Sequence, residues 1–419
     1  MKIKIKLISI VLFLSVIIML VSCGRQKSEW KGTIEEVDGR TVVSNPKTPE
    51  MEMRIVFEED LTIGETEGEE NYMFGSQIVF NTDEEGNFYV TDWDRKRIQK
   101  YDPKGKYLLT IGRLGQGPGE FQNISKAKFD KDNNIYVTDI VSRRISFFNK
   151  EGRFLRLITS PIDLSHNLYM TSKGLFIFRQ SEYLDYPSGV SERITIIGIF
   201  DDKFNLLAEI HKEKEEAKPP SGRDEESMAQ AQADVISEAA FKPSIGYIMN
   251  KNDHIYFGDS KKYEIKVYNS EGKLVRIIQR EYDPIEVNKK DIEKFIKYWD
   301  EFIFKYLPLP DGIKKRAFQL AKFPKYKPAY ERFTLMENGW LFVIVDTIED
   351  EYSLIDIFDE NAKYIAQFKT PVTAKGTMSE FLFFKNGKAY SVAAENDYLF
   401  VKRYNFEIQE YKGNKWVKK

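Results

Sequence analysis

From residue 75 onward the chain reads as short apolar runs separated by clusters of Asp, Asn and Gly, and one such unit is written twice. Gly86–Asp92 (GNFYVTD) returns 47 residues later as Asn133–Asp139 (NNIYVTD). At the same offset Arg97 and Ile98 map onto Arg144 and Ile145, Gly105 onto Gly152, Leu108 onto Leu155, and Phe74 onto Phe121. The runs are too short for helices and rich in Tyr, Phe, Ile and Val, so they predict strands, with the polar clusters as turns.

Repeat one covers about 75–112 and repeat two about 122–159. A weaker third copy places strands at 174–178 and 193–200. A fourth has Ile255–Asp259, Ile265–Tyr268 and Gly272. The fifth holds 340–345, 354–358 and 364–368, and the sixth 381–384, 389–393 and 398–404, without a clear fourth strand. Repeats of this length built from four short strands imply propeller blades. The missing strand is at the other end of the chain, where Leu61–Gly64 (LTIG) copies Leu109–Gly112, the last strand of repeat one. The expected fold is therefore all-β, a six-bladed β-propeller over 53–410, its ring closed by the N-terminal strand 53–63. Ahead of it, 23–52 read as a tether followed by a hairpin at Thr33–Val43, with Asp38 and Gly39 in the turn.

Strands in a blade alternate direction, so links from strand two to three share one face with links between blades. The remaining turns on the opposite face are short, and the long insertions all fall on the first face: Arg179–Glu192, His211–Lys242 and Asp283–Ala329. The second insertion is highly charged and predicts a solvated, partly disordered loop. In the third, Ile292, Phe295, Ile296, Trp299, Phe302, Ile303 and Tyr306 recur at helical spacing, giving a small helical insertion over 283–329. That stripe predicts a lid packed on the propeller rim, able to shape a pocket. Long loops on a rigid scaffold commonly carry binding, and Trp93, Arg95, Arg113, Arg143, Tyr183, Tyr186 and Trp299 are the candidate binding residues of this face.

The best copies, with Gly-Asn-Phe-Tyr-Val-Thr-Asp leading to Arg97-Ile98 and a turn ending at Gly105, resemble NHL repeats. The loop 112–121 and the segment 324–330 add to that likeness, which covers 75–160 most fully and extends over 243–282 and 328–370. At the amino end, Lys2, Lys4 and Lys6 precede an apolar run from Leu7 to Val21, the form of an export signal. Leu20-Val21-Ser22-Cys23 resembles the lipobox of bacterial lipoproteins, and the chain as a whole resembles lipobox-bearing six-bladed propeller proteins. The resemblance implies a signal peptide at 1–22, diacylglycerol on the Cys23 thiol, and acylation of the new amino terminus. Gly24 after the cysteine implies the outer membrane or cell surface in a cell that has one.

Composition narrows the partners. Net charge is −2, and removing 1–22 takes three lysines and no acid away, leaving −5. An acidic exported chain offers nothing to nucleic acid, and Cys23 is the sole cysteine, so no intrachain disulfide is possible. His166, His211 and His254 fall in unrelated parts of the blades, too scattered for the three converging ligands that zinc catalysis needs. Asp92, Asp139 and Asp259 recur at one blade position, where capping of a turn accounts for them. The expectation is a monomeric, membrane-anchored, non-enzymatic binding module for a protein, peptide or glycan, without a cofactor. The alternative is a propeller hydrolase or lyase acting on a sugar or peptide, with a divalent cation in the channel.

Overall fold

The computed structural model describes residues 30–164, 167–185, 191–217, 222, 224–305, 307, 309–348, 352–371, 383–396, 398–412 and 415–418; Cys23, His166, Tyr186 and Tyr306 lie outside them. A hairpin of β1 (Thr33–Val37) and β2 (Arg40–Asn45) precedes the long β3 (Met53–Ile63). Blade 1 follows as β4 (Ile78–Thr82), β5 (Phe88–Asp92), β6 (Arg97–Tyr101) and β7 (Tyr107–Ile111). Blade 2 is β8 (Lys128–Phe129), β9 (Ile135–Asp139), β10 (Arg144–Phe148) and β11 (Phe154–Thr159). Blade 3 is β12 (Tyr169–Met170), β13 (Phe176–Asp185), β14 (Ser191–Phe200) and β15 (Leu206–Ala217), after which comes helix α1 (Glu225–Ala239). Blade 4 is β16 (Ile245–Met249), β17 (Ile255–Asp259), β18 (Glu264–Tyr268) and β19 (Leu274–Arg280). Helix α2 (Lys289–Tyr298) continues into a π-helical turn at Trp299–Ile303, and α3 (Asp311–Leu320) follows. Blade 5 is β20 (Arg332–Leu335), β21 (Leu341–Ile348), β22 (Tyr352–Phe358) and β23 (Tyr364–Pro371). Blade 6 is β24 (Phe383–Lys385), β25 (Lys388–Glu395) and β26 (Tyr398–Lys412), with β27 (Lys415–Lys418) folded back on the end of β26.

These form six sheets, antiparallel within each blade, and β3 supplies the outer strand of blade 6 by pairing with β26 from Ile63↔Val401 to Met53↔Glu410. The molecule is thus an all-β six-bladed propeller closed by its N-terminal strand, as the repeats predict. Middle strands are buried on both faces because each lies between two neighbouring blades: every residue of β5 and β9 is buried. The apolar side chains collect into six clusters, one between each pair of adjacent blades. The cluster joining blades 6 and 1 holds Ile63, Phe80, Phe88, Tyr390 and Val401, so the ring has a continuous core.

The turns follow from their side chains. In the third turn of blade 1 the Asp102 carboxylate accepts the Lys104 and Lys106 amides at 2.8 and 2.9 Å, and Asn269 and Asp359 do the same in blades 4 and 5. Gly152 closes the corresponding turn of blade 2 at φ +76, where a methyl group would meet Leu109 of blade 1 at 2.9 Å; glycine serves both conformation and close approach.

The structure departs from the sequence reading in four places. Hairpin β1–β2, read as lying ahead of the ring, joins blade 4: β2 runs parallel to β19, giving a six-stranded sheet. Asn45, almost fully buried, anchors it, accepting the Tyr364 amide at 2.6 Å and donating to the Gln279 and Ala362 carbonyls. The first insertion is not a loop but an extension of β13 and β14, paired to Asp185↔Ser191. Its stabilising pairs are charged, Lys214–Glu192 at 3.2 Å among them, so no apolar alternation marks it as strand. The charged insertion 211–242 is largely ordered: β15 runs on to Ala217, and α1 starts where Asp224 caps the Ser227 amide at 3.0 Å. Finally, the apolar stripe of α2 packs on the other helices. Trp299, Phe304, Ala233, Ile236 and Ala317 make a seventh core, separate from the six between blades. The last two insertions therefore build one three-helix cap. None of the helices among the described residues is long and apolar enough to cross a membrane.

Candidate functional site

Links between strands two and three, links between blades, and the helical cap all lie on one face. The Gly112–Phe121 loop there is held by Glu120, which pairs with Arg113 at 2.8 Å and accepts the Gly117 amide at 2.9 Å. Most of the residues chosen from sequence are engaged in such local work. Trp93 is half-buried against the core between blades 1 and 2. Arg95 donates to the Met73 carbonyl and pairs with Asp92 at 3.1 Å. Arg143 sits at φ +46 and pairs with Asp163 at 2.8 Å. Tyr183 is 65% exposed on β13, across from Arg193. Trp299 is buried in the cap core, stacked on Phe295 with ring centroids 5.4 Å apart. Trp299 thus belongs to the cap core, whereas Trp93 belongs to the core between blades 1 and 2.

The recurrent acids are turn caps. Asp139 accepts the Gln122, Asn123 and Ser142 amides at 2.9, 3.0 and 3.3 Å, with Arg144 3.7 Å away. Asp92 accepts from Gly75 and Arg95, and Asp259 from Lys261. Both Asp92 and Asp139 are fully buried and committed to the backbone. His211 stacks on Phe257, centroids 4.9 Å apart, and burial pushes its imidazole pKa down. His254 lies in a turn of the opposite face, its amide held by Asn250 at 2.9 Å. Among the described residues no three His, Cys, Asp or Glu side chains are grouped to hold a metal ion.

What the elaborated face does contain is a cleft of about 470 Å³ between the cap and blades 4 and 5. Asp291, Lys294, Phe295 and Tyr298 line it from α2, Phe241, Lys242 and Ser244 from the segment entering blade 4, and Lys327, Tyr330, Glu331 and Val345 from blade 5 and its approach. Its size is that of a ligand site, and apolar walls with a few placed charges are the usual composition. Phe295 is fixed by Phe241, Trp299 and Phe323, with centroids 5.4–5.9 Å away. At the rim Tyr298 stacks on Phe302 at 5.2 Å, and both rings are about half exposed, 55% and 47%.

The charges are paired. Lys327 meets Asp291 at 2.9 Å, both mostly buried, and Lys242 meets Glu215 at 2.7 Å. Burial pushes the Asp291 carboxyl up, but the Asn288 amide and the Lys327 ammonium hold it below its ordinary value, so it stays ionised. Asp291 also completes the capping box of α2 with Asn288 at 3.0 Å. Apart from Phe295 and, at the rim, Phe302, the cleft residues escape sequence reasoning because they do not belong to the apolar stripe. Tyr298 and Lys294 are ordinary helix-surface residues until blade 5 and the segment entering blade 4 are placed around them.

No curated protein matches the chain. Among solved structures the fold is similar to a candidate exported protein of Bacteroides fragilis, at 11% identity, over 88% of this chain and 100% of that one, with TM-score 0.50. It is also similar to a member of the DUF4221 family from Bacteroides vulgatus (12% identity, 86% and 99%, TM-score 0.47) and to virginiamycin B lyase from Staphylococcus aureus (12%, 84% and 99%, TM-score 0.40). At these identities the likeness is one of fold alone. Residues 75–252, from the start of blade 1 into blade 4, match the DUF5128 family, described as a 6-bladed beta-propeller, in agreement with the six blades of the structure.

Proposed function

We propose that the protein is an exported module, lipid-anchored through Cys23, that binds a segment of a polypeptide partner in the cleft beneath its helical cap and performs no chemistry on it. One observation carries this reading: a cleft of about 470 Å³ whose floor is a fixed aromatic ring, Phe295, and whose rim is an exposed stacked pair, Tyr298 and Phe302. Rigid aromatic anchors beside a polar rim are where binding energy concentrates. Charges of both signs around them, Lys327 with Asp291 and Lys242 with Glu215, suit the donors and acceptors of a peptide better than a ligand of single sign. The enzymatic alternative needs carboxylates or imidazoles converging on one point, and the recurrent acids support the binding reading because their oxygens are occupied by backbone amides.

The test is site-specific photo-crosslinking in native membranes. A photoreactive side chain at Tyr298 is expected to give a discrete adduct that Phe302→Ala abolishes, while the same group at exposed Leu155 on the blade 2 rim gives none. Matching adducts from both positions would refute the cleft as the binding site. Labelling with a fatty-acid analogue tests the anchor separately: wild type is marked, and equal labelling of Cys23→Ser would overturn it.

A further inference from the structure

The chain enters the propeller at Trp30, and the groups that hold this residue fix where the ring meets its anchor. Trp30 is half-buried; its indole Nε1 donates to Asn45 Oδ1 at 3.1 Å, and the Lys363 ammonium lies 5.2 Å from its ring centre. Asn45 is tied to blade 5 through the Tyr364 amide and the Ala362 carbonyl. The Trp30 side chain also packs on the core between blades 4 and 5, which includes Val43 and Ile278 of blade 4 and Leu341 and Tyr364 of blade 5. Tyr330 and Val345, which line the cleft, belong to that same core, so cleft and anchor share one blade junction.

The neighbouring segments stay on this rim. β1 is the edge strand of the blade 4 sheet, and all five of its residues are exposed. After the hairpin, Arg280 donates to the Lys47 carbonyl at 3.0 Å, and the Lys47 ammonium pairs with Asp283 at the start of the cap insertion. The Glu50 and Met51 amides then reach the Tyr364 and Ile365 carbonyls of blade 5 at 3.3 and 2.9 Å.

Six residues separate Cys23 from Trp30. Fully extended, the seven steps between them reach about 25 Å, whereas a chain of this length folds into a body about 55 Å across. In a ring of six, blade 2 stands across from blade 5. A lipid on Cys23 therefore keeps the rim of blades 4 and 5 near the headgroups and leaves the rim of blade 2 about a molecular breadth further off. The blade turns of the opposite face give a bilayer nothing to hold, since none of the large apolar side chains exposed among the described residues lies in them. Exposed charges on the near rim are mixed, Lys31 and Lys47 beside Glu35, Glu36 and Asp38, so no field of single sign selects a lipid.

We propose that the rim of blades 4 and 5 is a membrane-facing surface whose partner is the headgroup layer, and that the ring stands on edge with blade 2 outermost. Both faces then look along the bilayer, and the cleft opens sideways onto neighbours in the same membrane. The inference rests on the lipid anchor at Cys23 proposed above.

Energy transfer in vesicles tests it. Full-length protein is reconstituted in phosphatidylcholine carrying acceptor dye on its headgroups. Cys23 is the sole cysteine, so once its thiol is alkylated an introduced Glu35→Cys on β1 or Leu155→Cys on β11 is the one free thiol and takes the donor dye. Transfer from position 35 is expected to exceed that from position 155 at least about threefold, as a height difference near the molecular breadth requires. The ratio should be unchanged by about 30% anionic lipid or by salt. A spacer of about 20 Gly and Ser residues after Gly24 makes the tether longer than the molecule is wide and should bring the ratio toward one. Equal transfer from the two positions with the natural tether, or a ratio that survives the spacer, would overturn the orientation. Protein that washes off the vesicles and takes dye on two thiols would overturn the anchor itself, and the orientation with it.

Discussion

Blades 4 and 5 are joined by a buried charge, and removing either member should show how much. Asp356 is fully buried on β22, and its carboxylate meets Arg280 of β19 at 2.9 Å, accepts Tyr364 Oη at 2.9 Å and Gln367 Nε2 at 2.7 Å, and is also bonded by Tyr263. Arg280 in turn donates to the Lys47 carbonyl beyond the hairpin at 3.0 Å and lies over the Tyr364 ring at 4.3 Å. Asp356→Ala would leave a buried guanidinium, two hydroxyls and an amide short of an acceptor, and should cost about 3–5 kcal/mol. Arg280→Met leaves the carboxylate with its three neutral donors, so its loss should lie near the lower end of that range, at about 3 kcal/mol. Because each single change strands the other charge, Asp356→Ala combined with Arg280→Met should recover about 1–3 kcal/mol relative to the sum of the singles. Urea unfolding followed by tryptophan fluorescence measures all three. Single losses under about 1 kcal/mol, or strict additivity, would refute the claim that this pair holds the two blades and the hairpin together.

Acid should loosen the closing blade first. Burial pushes the Asp60 carboxyl up, but hydrogen bonds from Arg403 and Lys388, both 2.8 Å away, hold its pKa below the usual value; Glu59 is lowered by Thr62 and, against burial, by Lys402. A folded-state pKa below the unfolded one adds stability above the ordinary carboxylate range, and that stability is lost as pH falls below about 4. Protection of the β3 amides, taken relative to the intrinsic exchange rate, should therefore fall as pH drops below about 4, less steeply in Asp60→Asn; an identical slope would count against it. Glycine positions should separate by surroundings. Gly112 and Gly39 both have φ near +75, but a methyl at Gly112 would lie 2.0 Å from the Phe121 ring while one at Gly39 meets nothing within 4 Å. Gly112→Ala should cost at least about 1 kcal/mol more than Gly39→Ala in the same urea assay, and equal costs would show that the 112–121 loop yields freely.

Wherever side chains dictate backbone locally, the sequence is readable. The Asp102, Asn269 and Asp359 turns are written in their own residues, and the copy of Leu109–Gly112 at Leu61–Gly64 discloses the strand that completes blade 6. Pairing of β2 with β19 is not readable, since a parallel contact between residues more than 230 apart rests on Asn45 reaching two carbonyls, a long-range fit with no local pattern. The cap is hidden for a related reason. Helix α1 buries Ala229, Ala233 and Ile236, residues too small to stand out in a charged insertion until α3 is laid against them. Candidate binding residues chosen by type, such as Arg95 and Arg143, turn out to brace their own links, whereas the cleft depends on which side of α2 the propeller leaves open.

Closure by β3 also sets an order of events during synthesis. Glu59 waits for Lys402, 343 residues further on, so the last blade cannot be finished until β26 has left the ribosome. Joining such distant segments directly would cost about 5 kcal/mol in chain entropy. Five blades already stacked in sequence bring the ends together and lower that cost, which makes the final pairing a late, cooperative step. A translation product ending before Tyr398 keeps every earlier blade's sequence yet leaves β3 exposed as a bare edge, ready to aggregate or to be degraded.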